Sequence, residues 1–200
     1  MNIIANDCVG GELYKAYNEQ YKNPFIWNVI PMDDYIKLVC LYEYIDFSNV
    51  EYFETPNYAF PWYMSGLRID NCVNIYYPHH MRLKGYPSLT KEVVQVTGQK
   101  GVFYEHMDDY LIEKYKERVG RMVEEPIFVF SQENRNSKDD LKKLLKCAEN
   151  RKMIFLTSDS ELIDENRKNI CYIIKPKNEI LQKIQAEYIK NNFDGFIKQE

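Results

Sequence analysis

Apolar positions along this chain follow two periods. Runs of four or five mostly apolar residues, at 2–6, 127–130, 152–156 and 170–174, have strand length. Between them, apolar residues recur every third or fourth position. Ile36, Val39, Cys40 and Ile45 do so after Pro31, Leu111, Ile112, Tyr115 and Val119 after Asp108, and Leu141, Leu144 and Leu145 after Ser137. Pro31 followed by Asp33 and Asp34, and Ser137 followed by Asp139 and Asp140, are helix starts: the acidic residues meet the positive end of the helix dipole. Further helices are predicted over residues 11–18 and 177–190. Strands alternating with helices predict an α/β fold with three layers: a mainly parallel, Rossmann-like sheet with helices on both faces and right-handed crossovers. Residues 46–100 interrupt this regularity. Strand-like runs at 50–53 and 73–77, a long loop over 57–66 and a short hairpin within 84–101 predict a small irregular, antiparallel insertion in a single domain spanning residues 1–200.

Composition narrows the partners. Net charge is −4 and no basic residues cluster in a block, which argues against nucleic acid. The apolar runs are far too short to span a membrane, and the first twenty residues lack a secretion-type apolar stretch, so the expected location is the cytoplasm. The five cysteines are odd in number and widely spaced, which predicts no disulfide framework. Cys40, Cys72, Cys147 and Cys171 read as buried small hydrophobes. The seventeen tyrosines, alongside plentiful Lys, Ile and Asn, read as a compositional bias rather than a set of sugar-stacking platforms.

Candidate chemistry is sought in the residues directly after each strand, because ligands of parallel sheets bind beyond the carboxyl ends. Asn6, Asp7, Cys8, Gly10 and Gly11 come after the first. His106, Asp108 and Asp109 come after a short strand predicted at 102–105. Ser131, Gln132, Glu133, Asn134 and Arg135 succeed residues 127–130, and Thr157, Ser158 and Asp159 succeed residues 152–156. Cys8 stands where a helix begins, and unpaired N–H groups and the helix dipole there favour a thiolate. A catalytic trio of Cys8 as nucleophile, His106 as base and Asp108 orienting the imidazole is the sharp reading, with N–H groups near Gly10 and Gly11 as an anion hole. The plainer reading makes Cys8 a small residue at a tight turn and His106 a strand-end residue. His79 and His80 lie in a predicted loop after Pro78, without a partner at metal-ligand spacing, and no metal is expected. Arg118 and Arg121 share a helix face and are either an anion clamp or a solvated surface. The glycines lack the spacing of a dinucleotide or phosphate-binding loop.

Several of these pieces, in order, look familiar. Asn6-Asp7-Cys8-Val9-Gly10-Gly11, Asn23-Pro24-Phe25, the helix start from Pro31 to Tyr35, His106, the helix with Arg118 and Arg121, and the strand from Ile127 to Ser131 form the set. The chain resembles a bacterial family known only as domain of unknown function 1919, whose members often bear the names of exopolysaccharide or capsule biosynthesis proteins. It departs from the family pattern at Asp7, where asparagine is preferred, and at Val9, where an aromatic is preferred. It is more distantly similar to capsule-biosynthesis proteins thought to transfer acetyl groups from coenzyme A, and loosely to papain-like cysteine peptidases. The resemblance implies a nucleophilic cysteine with a histidine and a role in surface polysaccharide synthesis. The resulting expectation is an enzyme of acyl-transfer or hydrolase type acting on an activated sugar or glycan precursor, with coenzyme A as a candidate acyl donor. Asn6, Asp7, Gly10, Gly11, Ser131 and Asn134 would contact substrate, and Arg118 or Arg135 would hold an anionic group. The alternatives are an accessory protein of polysaccharide assembly that binds a sugar nucleotide or a partner without catalysis, and a glycosyltransferase-like enzyme.

Overall fold

The computed structural model describes residues 1–56, 62–83, 92–96, 99–103, 107–122, 124–133, 136–175 and 182–198. Four strands form a parallel sheet: β1 (Ile3–Ala5), β7 (Ile127–Ser131), β8 (Met153–Thr157) and β9 (Ile170–Ile174), side by side in that order. Helices α1 (Val9–Tyr17) and α5 (Gln182–Lys198) cover one face, and α2 (Met32–Leu41) and α4 (Lys138–Cys147) cover the other. The predicted parallel sheet with helices on both faces is therefore present.

The strands read as apolar runs because both faces are buried. Successive side chains point to opposite faces. Ile3, Ala5, Ile127, Val129, Ile154 and Leu156 pack with Val9 and Leu13 of α1 and Ile189 of α5. Ile4, Phe128, Phe130, Met153 and Phe155 pack with Tyr35 and Leu38 of α2 and Leu141 and Leu144 of α4. The aromatic residues are thus concentrated on one side, where Phe130 stacks on Phe155 at 5.3 Å and tilts against Tyr35 at 5.7 Å.

A second sheet fills the middle of the chain. β2 (Val50–Pro56), β3 (Trp62–Ile69) and β4 (Val73–Leu83) pair antiparallel. The β3–β4 turn has positive φ at both Asp70 and Asn71 and a Cys72 N–H bond to the Ile69 carbonyl, the geometry of a tight primed turn that short polar residues tolerate. β5 (Glu92–Val96) and β6 (Gln99–Phe103) form the expected hairpin, and β6 meets β4 in parallel. α3 (Met107–Val119) lies against β2 and β3. Leu67, Ile69, Val73, Ile75 and Tyr77 join the same core cluster as α2 and α4, and Val29 pairs with Tyr76, so the two sheets share buried surface.

Four expectations are corrected. Part of the segment read as a long loop is β3, whose pairing with two neighbours outweighs its aromatic, glycine-containing composition. Residues 79 and 80 lie within β4, not in a loop. Cys40 and Cys147 form a disulfide, with Cα atoms 4.8 Å apart, because α2 and α4 pack side by side although 107 residues separate the two thiols. Cys40 is exposed and Cys147, Cys72 and Cys171 are half-buried, so none of the four is a sealed core residue.

Candidate functional site at the carboxyl rim of the parallel sheet

The rim is built from the strand ends inward. Asn6, directly after β1, clamps β7: its side-chain oxygen accepts the Ser131 N–H at 2.8 Å and its amide donates to the Ser131 carbonyl at 3.1 Å. Asp7 then accepts the Val9 N–H at 2.9 Å, which caps the first turn of α1. Cys8 is the N-cap residue by position, but its side chain makes no capping bond. The helix begins two residues earlier than the sequence predicts, so Gly10 and Gly11 lie inside it.

Both glycines are required by close approach. A Cβ on Gly10 would sit 3.0 Å from the Ala5 Cβ, and one on Gly11 would sit 2.5 Å from the Trp27 indole. Trp27 has little freedom to yield, because its Nε1 donates to the Tyr21 hydroxyl and the Lys15 ammonium lies 4.2 Å from its ring centre. The Asn-Pro-Phe segment is structural as well. The Asn23 amide donates to the Ile3 carbonyl and the Asn2 side chain, its oxygen accepts the Phe25 N–H, and Phe25 enters the core.

The centre of the rim is a buried lysine. Lys175 lies directly after β9, yet its ammonium reaches across β8 to donate to the Ser131 hydroxyl on β7 at 2.9 Å, with only 9% of the residue exposed. Ser131 in turn donates to Gln185 of α5 at 3.2 Å. Thr157, at the end of β8, donates to Gln132, which also accepts the Ser158 N–H at 3.0 Å. Asp7 lies within electrostatic reach of Lys175 and Glu133 and accepts a bond from Gln182. Groups from all four strand ends and from α5 therefore converge. Lys175, Gln182 and Gln185 are absent from the sequence-derived candidates. A signal for Lys175 exists in the chain all the same, because it is the residue immediately after the apolar run 170–174, at a strand end.

Electrostatics at the turn differ from the expectation of an easily ionised thiol. Burial, reinforced by the Asp7 and Glu12 carboxylates, pushes the Cys8 thiol up to about 11. Desolvation outweighs the helix dipole, and the nearby negative charges oppose a thiolate. Asp7 itself is pushed by burial up to about 6, against the lowering effects of the Val9 N–H and the Lys175 charge. A carboxyl group poised there can give or take a proton near neutral pH.

The other predicted residues divide between the rim and more distant places. Asn6, Asp7, Cys8, Gly10, Gly11 and Ser131 gather at the rim. His106, Asn134 and Arg135 lie outside the described residues. The described strand that precedes His106 in the chain is β6, which belongs to the second sheet. Asp108 is exposed in the first turn of α3, a helix that packs on β2 and β3. Arg118 stacks its guanidinium 5.6 Å from the Tyr21 ring, and Arg121 donates to the Tyr21 carbonyl, beyond the carboxyl end of α1 and away from Cys8.

A cleft of about 480 Å³ adjoins the rim, lined by Pro31, Met32 and Asp33 at the start of α2, Asn136 and Asp140 at the start of α4, and Met64 and Tyr76 of the second sheet. It is tied to the rim by the Ile30 N–H bond to the Asn6 carbonyl and by the Glu133 N–H bond to Asn136. A hollow of about 560 Å³ lies at the opposite, amino end of the strands, beside Asn2, Ile127 and Lys152. Ligands of parallel sheets favour the carboxyl end, so the smaller cleft is the relevant one. Among the described residues, no group of three His, Cys, Asp or Glu is arranged to hold a metal ion, and no helix is long and apolar enough to cross a membrane.

The turn at Cys8, the Asn23 clamp and the helix start after Pro31 all fall within residues 1–85, which match the model of the family described as domain of unknown function DUF1919. This part of the chain is similar to the DUF1919 family. No curated protein matches the chain. The DUF1919 region supplies β1, α1, α2 and the first three strands of the second sheet, and Lys175, Ser131 and Gln185 are contributed by the remainder.

Proposed function

We propose that the carboxyl rim binds a small, hydroxyl-rich ligand of the activated-sugar or glycan-precursor class. The observation that carries this reading is the buried Lys175 ammonium, held at Ser131 within reach of Asp7 and surrounded by amide, hydroxyl and carboxyl groups from every strand of the parallel sheet. Such a mixture matches the alternating donors and acceptors of a sugar, and the lysine supplies a positive charge for a phosphate or carboxylate carried by it. Binding is tested by calorimetry with a panel of nucleotide sugars, sugar phosphates and acetyl-coenzyme A. At least one member is expected to bind. Lys175→Met is expected to weaken that binding tenfold or more, and Lys175→Arg to restore part of it. A panel that leaves wild-type protein untouched, or binding indifferent to Lys175→Met, would overturn the reading.

A second reading adds acyl transfer or hydrolysis at Cys8, supported by the adjacency of this thiol to a carboxyl group of near-neutral pKa. The thiol holds its proton at neutral pH, so the attacking step needs a base. Asp7 and His106 are the candidates. Attack on a thioester or ester carbonyl would transfer the thiol proton to that base, place the acyl group on sulfur and release the leaving group with the returned proton. Incubation with an acyl thioester followed by intact-protein mass spectrometry is expected to show one added acyl group that Cys8→Ser abolishes. Ligand binding without acylation would support the accessory, non-catalytic role.

A further inference from the structure

α2 and α4 lie against each other with both amino ends at the cleft and both carboxyl ends at the Cys40–Cys147 disulfide. Met32 and Asp33 open the cleft from α2, and Asn136 and Asp140 open it from α4. At the far end a second tie runs in parallel with the disulfide: Arg151 Nη1 meets Glu43 Oε1 at 2.8 Å. α2 also holds the strands that end at the rim, because the buried Tyr35 hydroxyl donates to the carbonyls of Ile4 on β1 and Val129 on β7. The helix pair is therefore fastened at one end and shapes a ligand-sized space at the other.

We infer that Cys40–Cys147 is a thiol–disulfide exchange site, open to a small or protein dithiol reductant, whose state sets how firmly the α2–α4 pair holds the cleft. Cys40 is exposed while Cys147 is half-buried, which makes the Cys40 sulfur the accessible point of attack. A reductant thiolate attacks Cys40 Sγ, forms a mixed disulfide there and releases Cys147 as a thiolate. The second reductant thiol then attacks the mixed disulfide, releasing Cys40 and oxidising the reductant to its own disulfide. The two cysteines take up the two protons that the dithiol gives up. Both thiols remain a few ångströms apart on packed helices, so an oxidised dithiol restores the bond by the reverse steps. Cys8, Cys72 and Cys171 stay free throughout.

The test uses the intact chain and needs no knowledge of its ligand. Oxidised protein is denatured and treated with a maleimide: three added labels and a Cys40–Cys147 cross-linked peptide are expected, and five labels would overturn the proposal. Native protein is then equilibrated in dithiol buffers of graded potential, labelled and melted. The expected result is a reversible two-thiol transition without denaturant, accompanied by a fall in Tm of about 5–15 °C. Cys40→Ser, or Cys147→Ser should that variant fail to fold, is expected to melt with the reduced form and to ignore the buffer potential. A bond that yields only after unfolding, or a reduced form that melts with the oxidised one, would overturn the inference. Neither result bears on ligand binding at Lys175.

Discussion

Asp7 shows how one side chain sets conditions for the site. Burial raises its carboxyl from 3.8 to about 6, so the folded chain holds this proton more tightly than the unfolded chain does. The resulting stabilisation is complete below pH 3.8 and is lost as pH rises through 6. The shift corresponds to about 3 kcal/mol at most, and partial solvent contact reduces it to about 1–2 kcal/mol. Asp7→Asn keeps an oxygen for the Val9 N–H but has no proton to lose. Urea titrations of both proteins are expected to show the stability difference moving in favour of Asn by about 1–2 kcal/mol between about pH 3.5 and pH 8. A pH-independent difference would remove Asp7 as a candidate proton carrier. Gly11 makes a steric point. Alanine would normally improve a helix by about 1 kcal/mol over glycine, but its Cβ would strike the pinned Trp27 indole. The clash is expected to dominate, lowering stability by about 1–3 kcal/mol in denaturant melts. The sequence displayed the Asp-Cys-Val-Gly-Gly run plainly. It could not show that the second glycine answers to a tryptophan further along the chain.

At the scale of elements, local signals were reliable where the local interaction decides the outcome. Ser137 caps α4 as its position implied: its hydroxyl accepts the Asp140 N–H at 3.1 Å and donates to the same residue's carboxylate at 2.6 Å. Ser137→Ala is expected to cost about 1 kcal/mol in thermal or chemical denaturation while leaving the fold unchanged. Asp140 also lines the cleft, so the same variant tests whether fraying the first turn of α4 alters ligand affinity. α2 depends instead on distant partners. Its Tyr35 hydroxyl bonds two strand carbonyls with no route to water, and Tyr35→Phe is expected to cost about 1–3 kcal/mol because those acceptors lose a donor. Periodicity located α2 from its apolar stripe but said nothing of that hydroxyl. The middle strands were the least legible elements. β3 and the far half of β4 contain proline, glycine, serine and histidine, and they are strands because each has a neighbour to pair with.

At the scale of the molecule, both sheets draw on a shared interior. Tyr35, Leu38, Leu67, Ile75, Tyr115, Phe128 and Leu144 belong to one buried cluster, and the Val29–Tyr76 pairing joins the chain after β1 to the second sheet. The two sheets are expected to unfold together: tryptophan fluorescence and far-ultraviolet circular dichroism should follow coincident urea transitions. Ile75→Ala, which empties a buried site in the second sheet, should shift both probes equally by about 2–5 kcal/mol. Separate transitions would show that the sheets are energetically independent.

By itself the sequence determined the alternation of buried strands and amphipathic helices, and hence the parallel sheet, because side-chain period and burial are properties of neighbouring residues. It also marked the turn after β1 as polar and unusual. Tertiary structure alone decided which thiols pair, which sheet receives β6, and that a lysine at one edge of the rim reaches a serine two strands away. Those outcomes depend on strand order and helix packing, which bring together residues separated by 44 to 107 positions and leave no periodic trace in the chain. The Cys8 thiol shows the same division: its place at a helix start was readable, but the burial and neighbouring carboxylates that hold its proton come only with the folded surroundings.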